Sequence, residues 1–152
     1  MKKHTQNQRL GDSARGSLPI SGGCLCGAVR FTLKNFANAV ICHCSLCRKA
    51  QGALFACNFP VPCDDFSYLC GENNIQFYNS SKLKVRAFCR RCASPIYSKK
   101  QGSGILRIRS GSLDSLKGLD VVAHIFAENL PTWASIHDNL PQHDKFEPGR
   151  ER

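Results

Sequence analysis

Three short clusters of cysteine contain the residue types and spacings that could do chemistry. They are CLC at residues 24 to 26, CHCSLC at 42 to 47 and CRRC at 89 to 92, and they hold seven of the ten cysteines. Thiolates at such spacings are ligands for zinc, which takes four ligands in a structural site. Because seven ligands do not divide by four, the clusters predict one complete site and one site with a position to spare.

The first and third clusters offer two thiolates each. One or two intervening residues allow a tight backbone turn that directs both sulfurs to one metal, so a four-cysteine zinc site is expected from Cys24, Cys26, Cys89 and Cys92. This metal would join the start of the domain to a hairpin late in the chain, and its closed tetrahedron leaves no room for substrate. Disulfides are the alternative, but cysteines two residues apart rarely satisfy disulfide geometry.

The middle cluster supplies three thiolates, Cys42, Cys44 and Cys47. Catalytic zinc sites keep three protein ligands and an open position for water or substrate, so this cluster predicts an open site. Alternatively, a fourth protein group closes it. His43 lies between two ligands and should point away from a metal that they share. The other candidates fall in predicted strands or a turn: Cys57, Cys63 and Cys70.

Short strands separated by turns must position these cysteines. Period-two patterns and runs of β-branched and aromatic residues predict strands at 28–33, 38–41, 53–61, 66–70, 75–79, 84–89, 95–98, 105–110 and 120–128. Within 53–61 the odd positions share one face, which makes Cys57 a core residue rather than a ligand. Helical turns are expected only at 45–51, ended by Gly52, and at 112–117, ended by Gly118. The fold is therefore predicted to be mainly β.

The chain is expected to form one domain. Residues 1–17 are polar and poor in aliphatic side chains, which predicts a disordered N-terminal tail. Residues 18–146 carry the predicted strands and all the cysteines, and residues 147–152 form a short polar C-terminal tail. A chain of 152 residues can bury a core before any metal is counted.

The cysteine content raises the question of compartment, because cysteine-dense chains are usually secreted disulfide scaffolds or intracellular metal proteins. The N-terminus lacks the apolar run of a signal peptide, and no stretch approaches the ~20 apolar residues of a membrane span. We therefore expect a cytoplasmic protein with reduced cysteines and no membrane partner. The formal net charge of +10 comes without a helix-turn-helix or aromatic RNA-binding motif, which favours an anionic small substrate over nucleic acid.

Four ordered blocks resemble the glutathione-dependent formaldehyde-activating enzyme family, which also includes centromere protein V. They are SGGCLCGAVRF (21–31), CHCSLCRKAQG (42–52), FCRRCASPIY (88–97) and HIFAENLPTWASIHDNLP (124–141). The resemblance spans about residues 19–146. It implies a β-tent fold of antiparallel sheets pinned by zinc, and two zinc ions per chain. The structural zinc would bind Cys24, Cys26, Cys89 and Cys92, and the catalytic zinc Cys42, Cys44 and Cys47.

One position departs from the family pattern. The family usually carries glycine directly after the second cysteine of the late pair, and this chain has Ala93. Glycine tolerates a left-handed backbone that alanine resists at a cost of about 1 kcal/mol. We therefore expect local strain at residue 93 beside an intact set of ligands.

The resemblance implies an enzyme of the carbon-sulfur lyase type. It would join glutathione, or a related thiol, to formaldehyde, or a related aldehyde, and so form S-(hydroxymethyl)glutathione. The open three-cysteine site has suitable chemistry, since zinc lowers the pKa of a bound thiol. Two alternatives stay open. One is a non-catalytic, zinc-dependent thiol carrier, and the other is an interaction module that binds a protein or nucleic acid and whose fold is stabilised by zinc.

Zinc with three protein thiolates is already negative, so an anionic thiol needs cations nearby. Arg48 and Lys49 directly follow Cys47 and are candidates, with solvated surface charge as the alternative. Trp133, the only tryptophan, lies in a proline-punctuated loop and either approaches the substrate or plugs an open sheet edge. His124 follows the alternation of its strand, which is more typical of a core histidine than of a catalytic base.

Overall fold

Eleven strands and one α-helix occur in residues 19–150, the part of the chain that the computed structural model describes. The strands are β1 Ile20–Gly23, β2 Arg30–Leu33, β3 Ala39–Cys42, β4 Ala56–Pro62, β5 Phe66–Cys70, β6 Ile75–Ser81, β7 Lys84–Cys89, β8 Pro95–Lys100, β9 Ile105–Arg109, β10 Val121–Ile125 and β11 Gln142–His143. The helix is α1 Ser45–Gln51, and short 3-10 turns span Cys63–Asp65, Glu72–Asn74, Ser110–Ser112 and Ala127–Asn129. The prediction of a mainly β fold is confirmed.

The strands form two sheets. The smaller has the order β1-β2-β5, and the larger has the order β11-β10-β3-β4-β9-β8-β7-β6. All pairings are antiparallel except those of β10, which is parallel to both β3 and β11. Since β9 lies beside β4 and β10 lies beyond β3, the connection at residues 110–120 crosses the sheet and delivers β10 in the direction of β3.

The main core lies between the small sheet and one face of the large sheet. Alternate residues of β2, β4 and β9 enter it: Phe31, Leu33, Phe59, Val61, Leu106 and Ile108. Cys57 lies on the same face of β4 as Phe59 and packs against this core, which confirms the prediction that Cys57 is a core residue. Removing these apolar side chains from water is the main stabilising term of such a core.

The other face of the large sheet carries the polar residues that build the site. The register places Asn58 of β4 beside Arg109 of β9, and Ser98 of β8 beside Arg86 of β7. Because side chains alternate between faces, these groups point away from the main core. A second, smaller buried cluster lies on this face and includes Val40, Cys42, Cys47, Ala56, Ala123 and Ile125.

The helical prediction for 45–51 is confirmed, and Gly52 ends α1 with a left-handed φ of 64°. The helical turn predicted at 112–117 is wrong. Instead Leu113 forms a β-bridge with Gly22, so this segment runs beside β1. Strands β1 and β11 were not predicted, and the strand predicted at 120–128 ends at Ile125, where Phe126 adopts a left-handed φ of 55°.

The predicted tail at residues 1–17 lies outside the described residues, and so do Glu151 and Arg152. The predicted domain boundaries stay predictions. Within residues 19–150, no helix has the length and hydropathy needed to span a membrane.

Candidate metal centres

The first candidate centre joins two turns that are distant in sequence. Cys24 and Cys26 follow β1, Cys89 ends β7, and Cys92 lies in the turn before β8. All four sulfurs lie within 4.8 Å of one another. The sulfur of Cys26 lies 3.5 Å from that of Cys24 and 3.9 Å from that of Cys89, although 63 residues separate Cys26 and Cys89. The arrangement can hold a metal through four thiolates.

Backbone amides and one hydroxyl surround these sulfurs. The N–H of Val29 donates to the sulfur of Cys24 at 3.3 Å, and the N–H of Arg91 donates to that of Cys89 at 3.4 Å. Burial opposes ionisation of Cys92, yet hydrogen bonds from Ser94 lower the pKa of this thiol to about 5. Donors placed around sulfur stabilise the thiolate form that a metal requires.

Ala93 has the strained backbone that was predicted for it. Its φ is 60°, and its N–H donates to the carbonyl of Cys89 at 2.8 Å. The tight turn between Cys89 and Cys92 therefore closes through a left-handed residue that is not glycine.

The second candidate centre lies where β3 meets α1. Cys42 ends β3, Cys44 is the N-cap of α1, and Cys47 lies in its first turn. The three sulfurs lie within 4.8 Å of one another. The sulfur of Cys44 accepts the N–H of Cys47 at 3.3 Å, so this thiol caps the helix as well as facing the cluster.

The surroundings of Cys42 and Cys47 shift the pKa values of these two thiols in opposite directions. Hydrogen bonds from Cys42 and Cys44 lower the pKa of Cys47, and the positive charges of Arg109 and Arg86 lower it further. The pKa of Cys42 is raised, first by its hydrogen bonds with Cys44 and Cys47 and then by burial. Three adjoining thiols are a donor set suited to a soft divalent metal, which would take up all three as thiolates.

No fourth histidine, cysteine, aspartate or glutamate of residues 19–150 joins this cluster. His43 is turned away from it, and its Nε2 lies 2.9 Å from Nδ1 of His124. His124 in turn lies 2.9 Å from a carboxylate oxygen of Asp138. Both histidines are buried, which confirms the interpretation of His124 as a core histidine.

A cavity of about 410 Å³ opens in front of the three-cysteine cluster. Its floor is the polar face of the large sheet, including Asn58, Ser98 and Arg109, and Lys84 and Arg86 of β7 also line it. Phe126, Phe146 and Arg150 form a wall on the C-terminal side. The rings of Phe126 and Phe146 meet edge to face at 4.9 Å, and the Arg150 guanidinium lies 4.8 Å above the Phe146 ring.

The candidate substrate residues from the sequence do not line this cavity. Arg48 is half-buried on α1, Lys49 is exposed, and the Trp133 side chain is 74% exposed. Their role in binding stays a prediction. The cations that do face the cysteines are Lys84, Arg86 and Arg109, which the sequence interpretation missed. Their signal was the alternation of cations with apolar residues in KVRAFC and ILRIR, which places the cations opposite the core.

Comparison with known proteins finds a family profile, a curated relative and a solved structure that are similar to this chain. The sequence profile described as "Glutathione-dependent formaldehyde-activating enzyme" matches residues 19–129. A protein of Halomonas elongata, named "Putative glutathione-dependent formaldehyde-activating enzyme", is 29% identical over 127 residues, which cover 77% of this chain and 80% of the relative. A crystal structure of a Rhodobacter sphaeroides protein superposes with a TM-score of 0.54 at 22% identity, over 67% of this chain and 99% of that one, and so shares the fold. This chain belongs to the glutathione-dependent formaldehyde-activating enzyme family.

Proposed function

We propose that the protein is a zinc-dependent enzyme of the carbon-sulfur lyase type. It joins glutathione, or a related thiol, to formaldehyde, or a related aldehyde. The observation that carries this proposal is the cluster of Cys42, Cys44 and Cys47, which opens onto a cavity and has no fourth protein ligand among residues 19–150. Membership of the family supports the general activity. We also propose a reducing compartment, such as the cytoplasm, in which these thiols remain available to metal.

The two cysteine centres suit zinc in different ways. Four converging sulfurs from two distant turns make a closed structural site, and three make a site with one position left for a ligand. We propose one zinc ion at each. Zinc bound by Cys42, Cys44 and Cys47 would lower the pKa of a substrate thiol, which makes its sulfur nucleophilic at neutral pH.

The chain's own residues supply compensating charge and an apolar wall for the substrate. An electron pair of the substrate sulfur would form the new bond to the carbonyl carbon, while the π bond of the carbonyl group breaks and its electron pair moves to the oxygen. The oxygen would take up one proton and the thiol would give up one, so the addition needs no oxidant or reductant. Arg86 and Arg109 offset the negative charge of the cysteine cluster. Phe126 and Phe146 give the cavity an apolar wall on its C-terminal side.

The test is the exchange rate between glutathione, formaldehyde and their adduct, followed by NMR near neutral pH. The uncatalysed addition already proceeds, so catalysis means acceleration above the buffer rate. Zinc-loaded protein should accelerate the approach to equilibrium without moving the equilibrium, and Cys44→Ser should remove the acceleration.

A thiol carrier would behave differently, because it would shift the apparent equilibrium in proportion to the protein added. An exchange rate equal to that of buffer for both wild type and Cys44→Ser would refute the lyase proposal. Strong salt-dependent DNA binding together with that result would favour the interaction module.

A further inference from the structure

Four cations and one carboxylate line the cavity in front of the cysteine cluster: Lys84, Arg86, Arg109 and Arg150, with Glu128. Arg150 pairs with Glu147, whereas the other three cations have no ion-pair partner within residues 19–150. Arg109 is only 3% exposed, and its guanidinium makes a long hydrogen bond of 3.4 Å to the Ser98 hydroxyl. Nη1 of Arg86 is buried with no hydrogen-bond partner, and its Nη2 reaches only the carbonyl of Leu46, at 3.5 Å. Lys84, two residues earlier on β7, points to the same face.

Like charges packed this closely are unfavourable unless anions accompany them. The ion pairs found within residues 19–150 involve Arg30, His124 and Arg150, and none involves these three cations. Burial lowers the pKa of Arg109 and of Lys84, and in both cases the negative charge of Cys47 acts in the opposite direction.

The cysteines cannot neutralise the three cations once a metal is bound. Three thiolates and one divalent metal carry about one negative charge together, and Glu128 adds one more, so Lys84, Arg86 and Arg109 leave an excess of roughly one positive charge. Arg86 and Arg109 also line an adjoining, mainly apolar groove of about 430 Å³, together with Leu46, Tyr78 and Phe88. A ligand whose sulfur lies at the cysteines would therefore pass these positive groups as it extends into the groove.

We propose that Lys84, Arg86 and Arg109 form a carboxylate-binding subsite that selects anionic thiols over neutral ones at the three-cysteine centre. The inference rests on the proposed function for the position of the sulfur. For the position of the carboxylate it rests on the guanidinium groups of Arg86 and Arg109, which have no acidic partner within residues 19–150. Guanidinium groups bind carboxylates in a planar, two-pronged geometry, and such charge-assisted bonds gain strength when water is excluded.

The experiment compares two thiols of equal length on zinc-loaded protein by titration calorimetry. Mercaptopropionate carries a carboxylate, and mercaptopropanol replaces it with a neutral hydroxyl. Wild type should bind mercaptopropionate about tenfold or more tightly than mercaptopropanol. Arg109→Gln should bring the two affinities close together by weakening mercaptopropionate alone, and Arg109→Lys should restore part of the difference because it keeps the charge.

A matched control lies on the same strand. Arg107 points to the same face of β9 as Arg109 and is partly buried, but its charge interacts with Arg150 and Glu147 and it does not line the cavity. Arg107→Gln should leave the preference for mercaptopropionate unchanged. Thermal unfolding of each variant shows that it is folded before binding is measured, and Lys84→Gln serves as the second test if Arg109→Gln does not fold.

S-methylglutathione separates this inference from the proposed function, because it keeps both carboxylates and cannot form a thiolate. If neither mercaptan binds but S-methylglutathione binds wild type and not Arg109→Gln, the subsite stands and the thiol chemistry fails. If both mercaptans bind equally to wild type, or Arg109→Gln preserves the preference, the subsite is refuted while thiol binding stands. If none of the three compounds binds, both proposals are overturned.

Discussion

Ala93 shows the energetic cost of one side chain beside a candidate metal ligand. Its φ of 60° is a conformation that glycine adopts freely and alanine resists. We expect Ala93→Gly to stabilise the zinc-loaded protein by about 1 kcal/mol, which raises the midpoint of thermal unfolding by roughly 2–4 °C for a domain of this size.

The matched control for this change is Ala50→Gly on the exposed side of α1. There the same substitution adds backbone freedom to a helix and should destabilise by about 0.5–1 kcal/mol. Equal shifts of the same sign at residues 50 and 93 would mean that the left-handed backbone at Ala93 carries no strain.

Cys44 and Cys89 should respond differently to the same substitution. Cys89 is fully buried and packs in the main core, whereas Cys44 is half-buried at the cavity. Cys89→Ser should lower the free energy of unfolding by about 3 kcal/mol or more, because it removes a core thiol and a ligand of the structural site. Cys44→Ser should cost less than about 1 kcal/mol and lose one metal, since serine is itself a good N-cap for α1.

Urea unfolding and metal analysis of both variants measure these two effects separately. Similar destabilisation by Cys44→Ser and Cys89→Ser would assign a structural role to both centres, and the proposed catalytic centre would lose its main support.

At the scale of elements, β1 depends on a glycine that allows two segments to touch. A Cβ added at Gly22 would lie 2.4 Å from the carbonyl oxygen of Ser112 and 2.5 Å from the Phe31 ring. Gly22→Ala should therefore destabilise by about 2–3 kcal/mol, because neither a backbone carbonyl nor a core ring can move away easily. Gly111→Ala, where an added Cβ meets nothing within 4 Å, should change stability by less than about 0.5 kcal/mol in the same urea titration.

The contact between Gly22 and residues 112–113 is an example of a tertiary interaction that local sequence patterns do not predict. Strands such as β7, with alternating or β-rich sequences, follow from local pattern. The sequence ISGG of β1 has weak strand propensity and becomes a strand because tertiary contacts hold it between β2 and Leu113. The same contact pairs Leu113 with Gly22 inside residues 112–117, for which local propensity alone predicted a helical turn.

The candidate site also has a part that the sequence predicts and a part that only the fold reveals. Cysteine spacing within a turn is local, so both cysteine clusters could be predicted before the structure. The role of Arg86 and Arg109 depends on β7, β8, β9 and β4 being neighbours in the sheet, and strand order is not written in any local pattern. Sequence proximity instead favoured Arg48, which is next to Cys47 in the chain but on a side of α1 that does not line the cavity.

At the scale of the whole molecule, the two centres are coupled to the fold to different degrees. The four-cysteine centre links the turn after β1 in the small sheet to the β7–β8 turn of the large sheet. Because the folded protein binds this metal and the unfolded chain does not hold the site together, metal binding and folding are linked, and each raises the free energy needed to undo the other. The three-cysteine centre joins only β3 to the adjacent α1 and opens onto the cavity.

A chelator titration of zinc-loaded protein should therefore release the two metals separately. One zinc should leave at low chelator concentration with the circular dichroism of the fold unchanged, because three ligands and an exposed cavity let the chelator enter the open position. The second should leave only as the protein unfolds. Cys26 is exposed, so burial does not shield that metal from a chelator, and its retention has to come from four thiolates held by two sheets.

Cys44→Ser should show the second step alone. Release of both ions in one step, at one chelator concentration, would contradict the division into a closed and an open centre, and with it the argument that the seventh cysteine of the three clusters completes a site left open for a thiol.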